Sequence, residues 1–117
     1  MNLLQSFRWA AQGLATVWRS ERNFRIEVAA AVLVTAAGWW ARVSYVDWAL
    51  LAVACVLVLS GEVVNTAIEL LCNKVEPRHD PLIGMVKDAV AGYVLLTAGG
   101  SVAIGAAVFG HRLLVGG

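Results

Sequence analysis

Glu62, Asn65 and Glu69 stand three and four residues apart in a stretch that is otherwise apolar or small, from Gly61 to Leu71. At about 100° and about 1.5 Å per residue, a helix puts all three on one side, with the glutamates roughly 10 Å apart along its axis. Ionisable groups at membrane depth cost about 2.5–3.5 kcal/mol each on insertion scales and normally face a bundle interior, a cavity or a partner charge. Such a stripe suits ligation of a hard metal by carboxylate and amide oxygens, a proton relay, or binding of a cationic substrate. A bland use is a polar clamp between helices, which Asn or Ser serves at lower desolvation cost. Neighbouring oxygens favour the metal: Glu21 stands before the first long apolar run and Asp88 before the last, so carboxylates from three helices are expected to converge at one membrane face. Oxygen-rich, histidine-poor sets suit Mg²⁺, which keeps waters and takes one or two carboxylates with substrate phosphates. Lys74, Arg78, His79 and Lys87 add the cations that a polyphosphate requires, although cations in such a loop also follow from membrane topology alone. No GxxxxGK[ST] or glycine-rich kinase loop accompanies them.

The elements that must hold these residues are apolar. Of 117 residues, 60% are hydrophobic and 15% charged, too apolar for an ordinary soluble domain of this size. The net charge of +1 excludes a nucleic-acid binder built on clustered cations. Leu3, Phe7, Ala10, Leu14 and Val17 recur at helical steps, predicting an amphipathic helix over 1–20 that lies along the membrane surface, with Trp9 and Trp18 at headgroup depth. A first span is expected over 26–45, with Glu27 facing protein or cytoplasm and Arg42 snorkelling, and a second over 47–72. A polar loop with two prolines follows over 73–87, and a third span over 88–109, whose Ser101 and Gly105 have the small-xxx-small spacing of close helix packing. Arg8, Arg19, Arg22, Arg25, Lys74, Arg78 and Lys87 then lie on one side and Arg42 and Arg112 on the other, which makes the N-terminus and the loop cytoplasmic and the C-terminus external. The fold class is an all-α integral membrane protein, a surface helix plus three transmembrane helices. Three spans enclose buried carboxylates thinly, so self-association is expected.

The run Glu62-Val63-Val64-Asn65-Thr66-Ala67-Ile68-Glu69, with Lys87-Asp88 and a small-residue apolar helix downstream, resembles the prokaryotic diacylglycerol kinase family, which includes undecaprenol kinases. Ser20-Glu21-Arg22-Asn23-Phe24-Arg25 is similar to that family's segment before its first span, and the likeness covers nearly the whole chain. The resemblance implies a homotrimeric bacterial inner-membrane kinase that moves the γ-phosphate of MgATP to the hydroxyl of a lipid alcohol, diacylglycerol or undecaprenol, at the cytoplasmic face. It implies Glu62 as general base, Glu21 and Glu69 as Mg²⁺ ligands, and Asn65 beside them at the substrate. Trp9, Lys87 and Asp88 match nucleotide-contacting positions, and Arg78, His79 and Asp80 a nucleotide-binding hinge.

Two departures stand out: Asn73 where the family usually has aspartate, keeping an oxygen but losing a charge, and His79, one position earlier than the family's loop histidine. Phosphoryl transfer needs mainly positioning and charge neutralisation, so a membrane-surface site fits it. The rival from another class is a small transporter or assembly subunit using Glu62 and Glu69 as a proton or cation relay.

Overall fold

The computed structural model describes residues 2–76 and 78–116. Among them are four helices: α1 (Leu3–Ser20), α2 (Arg22–Ala41), α3 (Tyr45–Val75) and α4 (Pro81–Val115). Three of these, α2, α3 and α4, are long and apolar enough to cross a membrane. Their outward faces carry large apolar side chains, among them Leu33, Trp39 and Leu96, each at least 70% exposed. In water such a surface would drive aggregation; against acyl chains it is at no disadvantage.

Local chemistry sets each helix end. Asn2 and Gln5 form a reciprocal capping box at the start of α1, with Gln5 N–H donating to Asn2 Oδ1 at 2.8 Å and Asn2 N–H to Gln5 Oε1 at 3.2 Å. The chain turns at the extended Glu21. There the Arg25 guanidinium donates back to the carbonyls of Trp18, at 2.6 Å, and Arg19, at 3.2 Å. A cation on the last carbonyls of a helix satisfies orphan acceptors and opposes the negative end of the helix dipole. Ser44 and Asp47 make a second capping box at the start of α3.

The helix limits differ from the expected segments at both ends of each long helix, α4 running from Pro81 to Val115 where 88–109 was expected. The first expected span runs to 45, but α2 stops at Ala41. Arg42 adopts the left-handed conformation (φ 55°, ψ 50°), and the N–H groups of Arg42 and Val43 donate to the Trp39 and Gly38 carbonyls, a Schellman closure on a residue other than glycine. At the other membrane face, α3 continues to Val75, beyond the expected 72. Inside the expected loop over 73–87, α4 already begins at Pro81, because Asp80 Oδ1 accepts from the N–H groups of Leu82 and Ile83, and Pro81 takes the first helical position. Proline there starts a helix, since its fixed φ suits the turn and its missing N–H is not needed. The other loop proline, Pro77, lies outside the described residues.

Helices α3 and α4 form the principal pair, α2 packs on α3, and α1 touches α2 and α3. The principal pair is in close contact at Gly61, where a Cβ would stand 2.7 Å from Thr97 Oγ1. Further along, Ser101 Oγ donates to the Ala54 carbonyl at 2.7 Å. At the far end Val43, Leu51 and Val108 form a small core with Trp48 and Phe109 against it, and Arg112 Nε holds the Ala41 carbonyl at 2.7 Å. At about 1.5 Å per residue α3 is about 46 Å long and α4 about 52 Å, both longer than a hydrocarbon core of about 30 Å.

Candidate functional site

Next to Gly61, at its contact with Thr97, Glu62 is 5% exposed, the most enclosed carboxylate described. Its carbonyl accepts from Thr66 Oγ1 at 2.9 Å, and Thr66 is itself 3% exposed. Helical spacing carries Asn65 and Glu69 along the same side, where Asn65 Nδ2 donates to Glu69 Oε1 at 3.2 Å. That bond fixes the orientation of both side chains and leaves Glu69's second oxygen for another partner. From the α1–α2 elbow, Glu21 lies close enough to Glu62 to interact with it electrostatically, as does Glu69. The elbow's extended backbone, held by Arg25, therefore brings Glu21 to the same region as the α3 stripe.

The structure adds a residue that the spacing argument did not select. Glu27, on α2, meets Glu62 carboxyl to carboxyl in hydrogen-bonding contact. Its position in an otherwise apolar run was the available signal, because an ionisable group inside a span needs a partner; the identity of that partner depends on helix packing.

The phosphate-side residues divide. Lys87 Nζ donates to Asn73 Oδ1 at 3.2 Å, so the asparagine at the departed position links α3 to α4 one turn beyond Glu69. Arg78, His79, Asp80 and Lys87 line a cleft of about 150 Å³ together with Glu76, Ile83 and Gly84. Within it the Arg78 guanidinium is engaged by Glu76 at 3.2 Å, and one Asp80 oxygen is committed to capping α4. Two expected residues make no hydrogen bond to the carboxylate stripe among the described residues. Asp88 is exposed on α4 and makes no hydrogen bond or ion pair among the described residues, while Glu21, Glu27, Glu62 and Glu69 come from the elbow, α2 and α3. Trp9 is 53% exposed on α1, and none of the hydrogen bonds of the stripe reaches it. Among the described residues no three His, Cys, Asp or Glu side chains converge tightly enough to hold a metal by themselves.

Residues 8–109 match the family described as prokaryotic diacylglycerol kinase. An undecaprenol kinase of Bacillus subtilis is 35% identical over 109 residues, 93% of this chain and 89% of that relative. A diacylglycerol kinase of a Synechocystis species is 36% identical over 105 residues, 89% of this chain and 60% of the relative. A diacylglycerol kinase of Escherichia coli K12 is 28% identical over 94 residues, covering 80% and 77%. Three apolar helices carrying a buried carboxylate stripe, with relatives of this kind, define the class as a membrane-bound lipid kinase. The chain belongs to the prokaryotic diacylglycerol kinase family.

Proposed function

We propose that the protein is an ATP- and Mg²⁺-dependent kinase of the bacterial inner membrane that phosphorylates the hydroxyl of a membrane lipid alcohol, diacylglycerol or undecaprenol, at the cytoplasmic face. The observation that carries this reading is the graded stripe on α3: Glu62 buried, Glu69 half-buried and Asn73 exposed beside Lys87. The stripe spans the boundary across which a lipid hydroxyl and a water-soluble nucleotide have to meet.

Glu62 is the general base. It takes the proton of the acceptor hydroxyl as that oxygen bonds to the γ-phosphorus, and the bond between the γ-phosphorus and its bridging oxygen breaks to release ADP. Glu21 and Glu69 are the residues that would hold Mg²⁺. Two carboxylates, one fixed by Asn65, suit an ion that completes its shell with water and phosphate, so the absence of a three-residue protein cage does not count against the fit. When bound, the metal neutralises the β- and γ-phosphate oxygens. Asn65 contributes at the acceptor by orienting Glu69. Lys87 and the cleft of Arg78, His79 and Asp80 receive the phosphates and nucleotide, with Trp9 and Asp88 completing the site once nucleotide binds. The α1 helix rests on the membrane surface, and the working unit is a homotrimer with the N-terminus and the 76–80 loop cytoplasmic and the C-terminus external. Trimerisation encloses helix faces that are open in the single chain.

Undecaprenol and diacylglycerol kinases stand at 35% and 36% identity, so similarity alone does not choose the acceptor. Incubating the purified protein with labelled ATP, Mg²⁺ and a panel of diacylglycerol, undecaprenol and dolichol-like alcohols tests the reading. Label transferred to one lipid alcohol, dependent on Mg²⁺, is the expected result. A relay protein would consume no ATP under any lipid, and that result would overturn the proposal.

A further inference from the structure

Glu27 has no place in the scheme above, yet its carboxyl is in hydrogen-bonding contact with the base. Two carboxylates in contact have no hydrogen to offer each other and repel, so the contact requires one proton. Neither member has a lysine or arginine ion pair among the described residues. Glu27 Oε2 is buried with no donor among the described residues. The cavity of about 220 Å³ that Glu27 helps to line is otherwise apolar except for the Cys55 thiol, which makes no hydrogen bond to Glu27 Oε2, and Ser101, whose hydroxyl is committed to the Ala54 and Thr97 carbonyls. An anionic oxygen left without a donor in such a place is far more costly than the carbonyl oxygen of a neutral acid. The proton therefore belongs on Glu27. The charges facing Glu62 from the elbow and from its own helix are those of Glu21 and Glu69, the pair assigned to offset a divalent cation.

We propose that Glu27 is a positioning residue whose carboxylic acid O–H donates to the Glu62 carboxylate and holds it toward the acceptor hydroxyl. The inference rests on the reading of Glu62 as base. Glu27 keeps its own proton throughout, and the proton from the acceptor hydroxyl goes to Glu62, so the transfer stays balanced. The hydrogen bond crosses from α2 to α3 and also aligns the elbow helix with the stripe.

The test compares Glu27→Gln and Glu27→Ala in purified protein in detergent–lipid micelles, reading kcat and the KM for MgATP. The amide of glutamine still donates, whereas alanine cannot. Loss of a hydrogen bond to a charged group predicts that Glu27→Ala lowers kcat about tenfold with the MgATP KM unchanged, and that Glu27→Gln restores it to within about threefold of the parent. A parent-like kcat in the alanine variant overturns the proposal. So does a glutamine variant as poor as alanine, which would mean that Glu27 gives up its proton, or a raised MgATP KM, which would move Glu27 to the metal. Infrared spectra of the resting protein give a second measure independent of turnover: a carboxylic-acid carbonyl band present in the parent and absent in Glu27→Gln supports the assignment, and its persistence in the variant refutes it. A parent without lipid phosphorylation would instead count against the kinase reading, while the infrared band would still report on the pair.

Discussion

At the scale of single residues, Glu62 and Glu69 have the same side chain on the same helix and different expected losses. Replacing Glu62 by glutamine removes a proton acceptor while keeping shape. Its kcat is expected to fall about 10²- to 10⁴-fold with ATP binding largely intact, as measured by turnover and equilibrium nucleotide binding on one preparation. Glu69→Gln and Glu21→Gln each remove a carboxylate from the proposed metal pair, so the Mg²⁺ concentration for half-maximal activity should rise about tenfold. Unchanged metal titration curves would take them out of that role. The stripe of Glu62, Asn65 and Glu69 was legible from the sequence because it depends only on helical periodicity within one element. The Glu27–Glu62 contact was not, because no spacing rule says which face of α2 meets which face of α3. Asn73 is a third case. The sequence marked it as a departure, and the structure gives it a partner in Lys87, whose ammonium donates to the neutral amide oxygen and links α3 to α4.

At the scale of elements, two small features decide where those residues stand. A methyl group at position 61 would press on Thr97 Oγ1, whose hydroxyl already donates to the Val94 carbonyl at 3.0 Å. Gly61→Ala is therefore expected to cost about 1–3 kcal/mol and to displace the adjacent Glu62. The double variant Gly61→Ala/Thr97→Ala should recover much of the loss in thermal unfolding and in kcat, because the second change clears the space. Asp80→Ala removes the cap of α4 and is expected to destabilise by about 1 kcal/mol, read from thermal unfolding of the detergent-solubilised protein. The end of α2 and the start of α4 were the least legible parts of the fold, for opposite reasons. Arg42 closes α2 in a conformation that glycine usually announces, so no stop signal was visible. Pro81 reads as a breaker, but after a capping aspartate it is a helix start.

The whole molecule sets the end that carries the carboxylate stripe against a latched opposite end, and α3 runs through both. Its first turn is fixed by the Ser44–Asp47 box near Trp48 and the small core at Val43, while its last turns carry Glu69 and Asn73. About 1.5 Å per residue puts Glu62 about 26 Å along the helix from Tyr45, and Glu69 about 36 Å. A hydrocarbon core of about 30 Å that began at Tyr45 would end between them. A rod anchored at one surface and read at the other is a gauge of the thickness between. In bilayers of short acyl chains Glu62 would rise into water and lose its shielding, and in long-chain bilayers Glu69 would sink away from the nucleotide. Turnover in a series of phosphatidylcholine bilayers of increasing chain length should therefore pass through a maximum, and a flat profile would mean that α3 tilts freely to absorb the mismatch. Through the length of one helix, the membrane's own dimension becomes a variable in the rate.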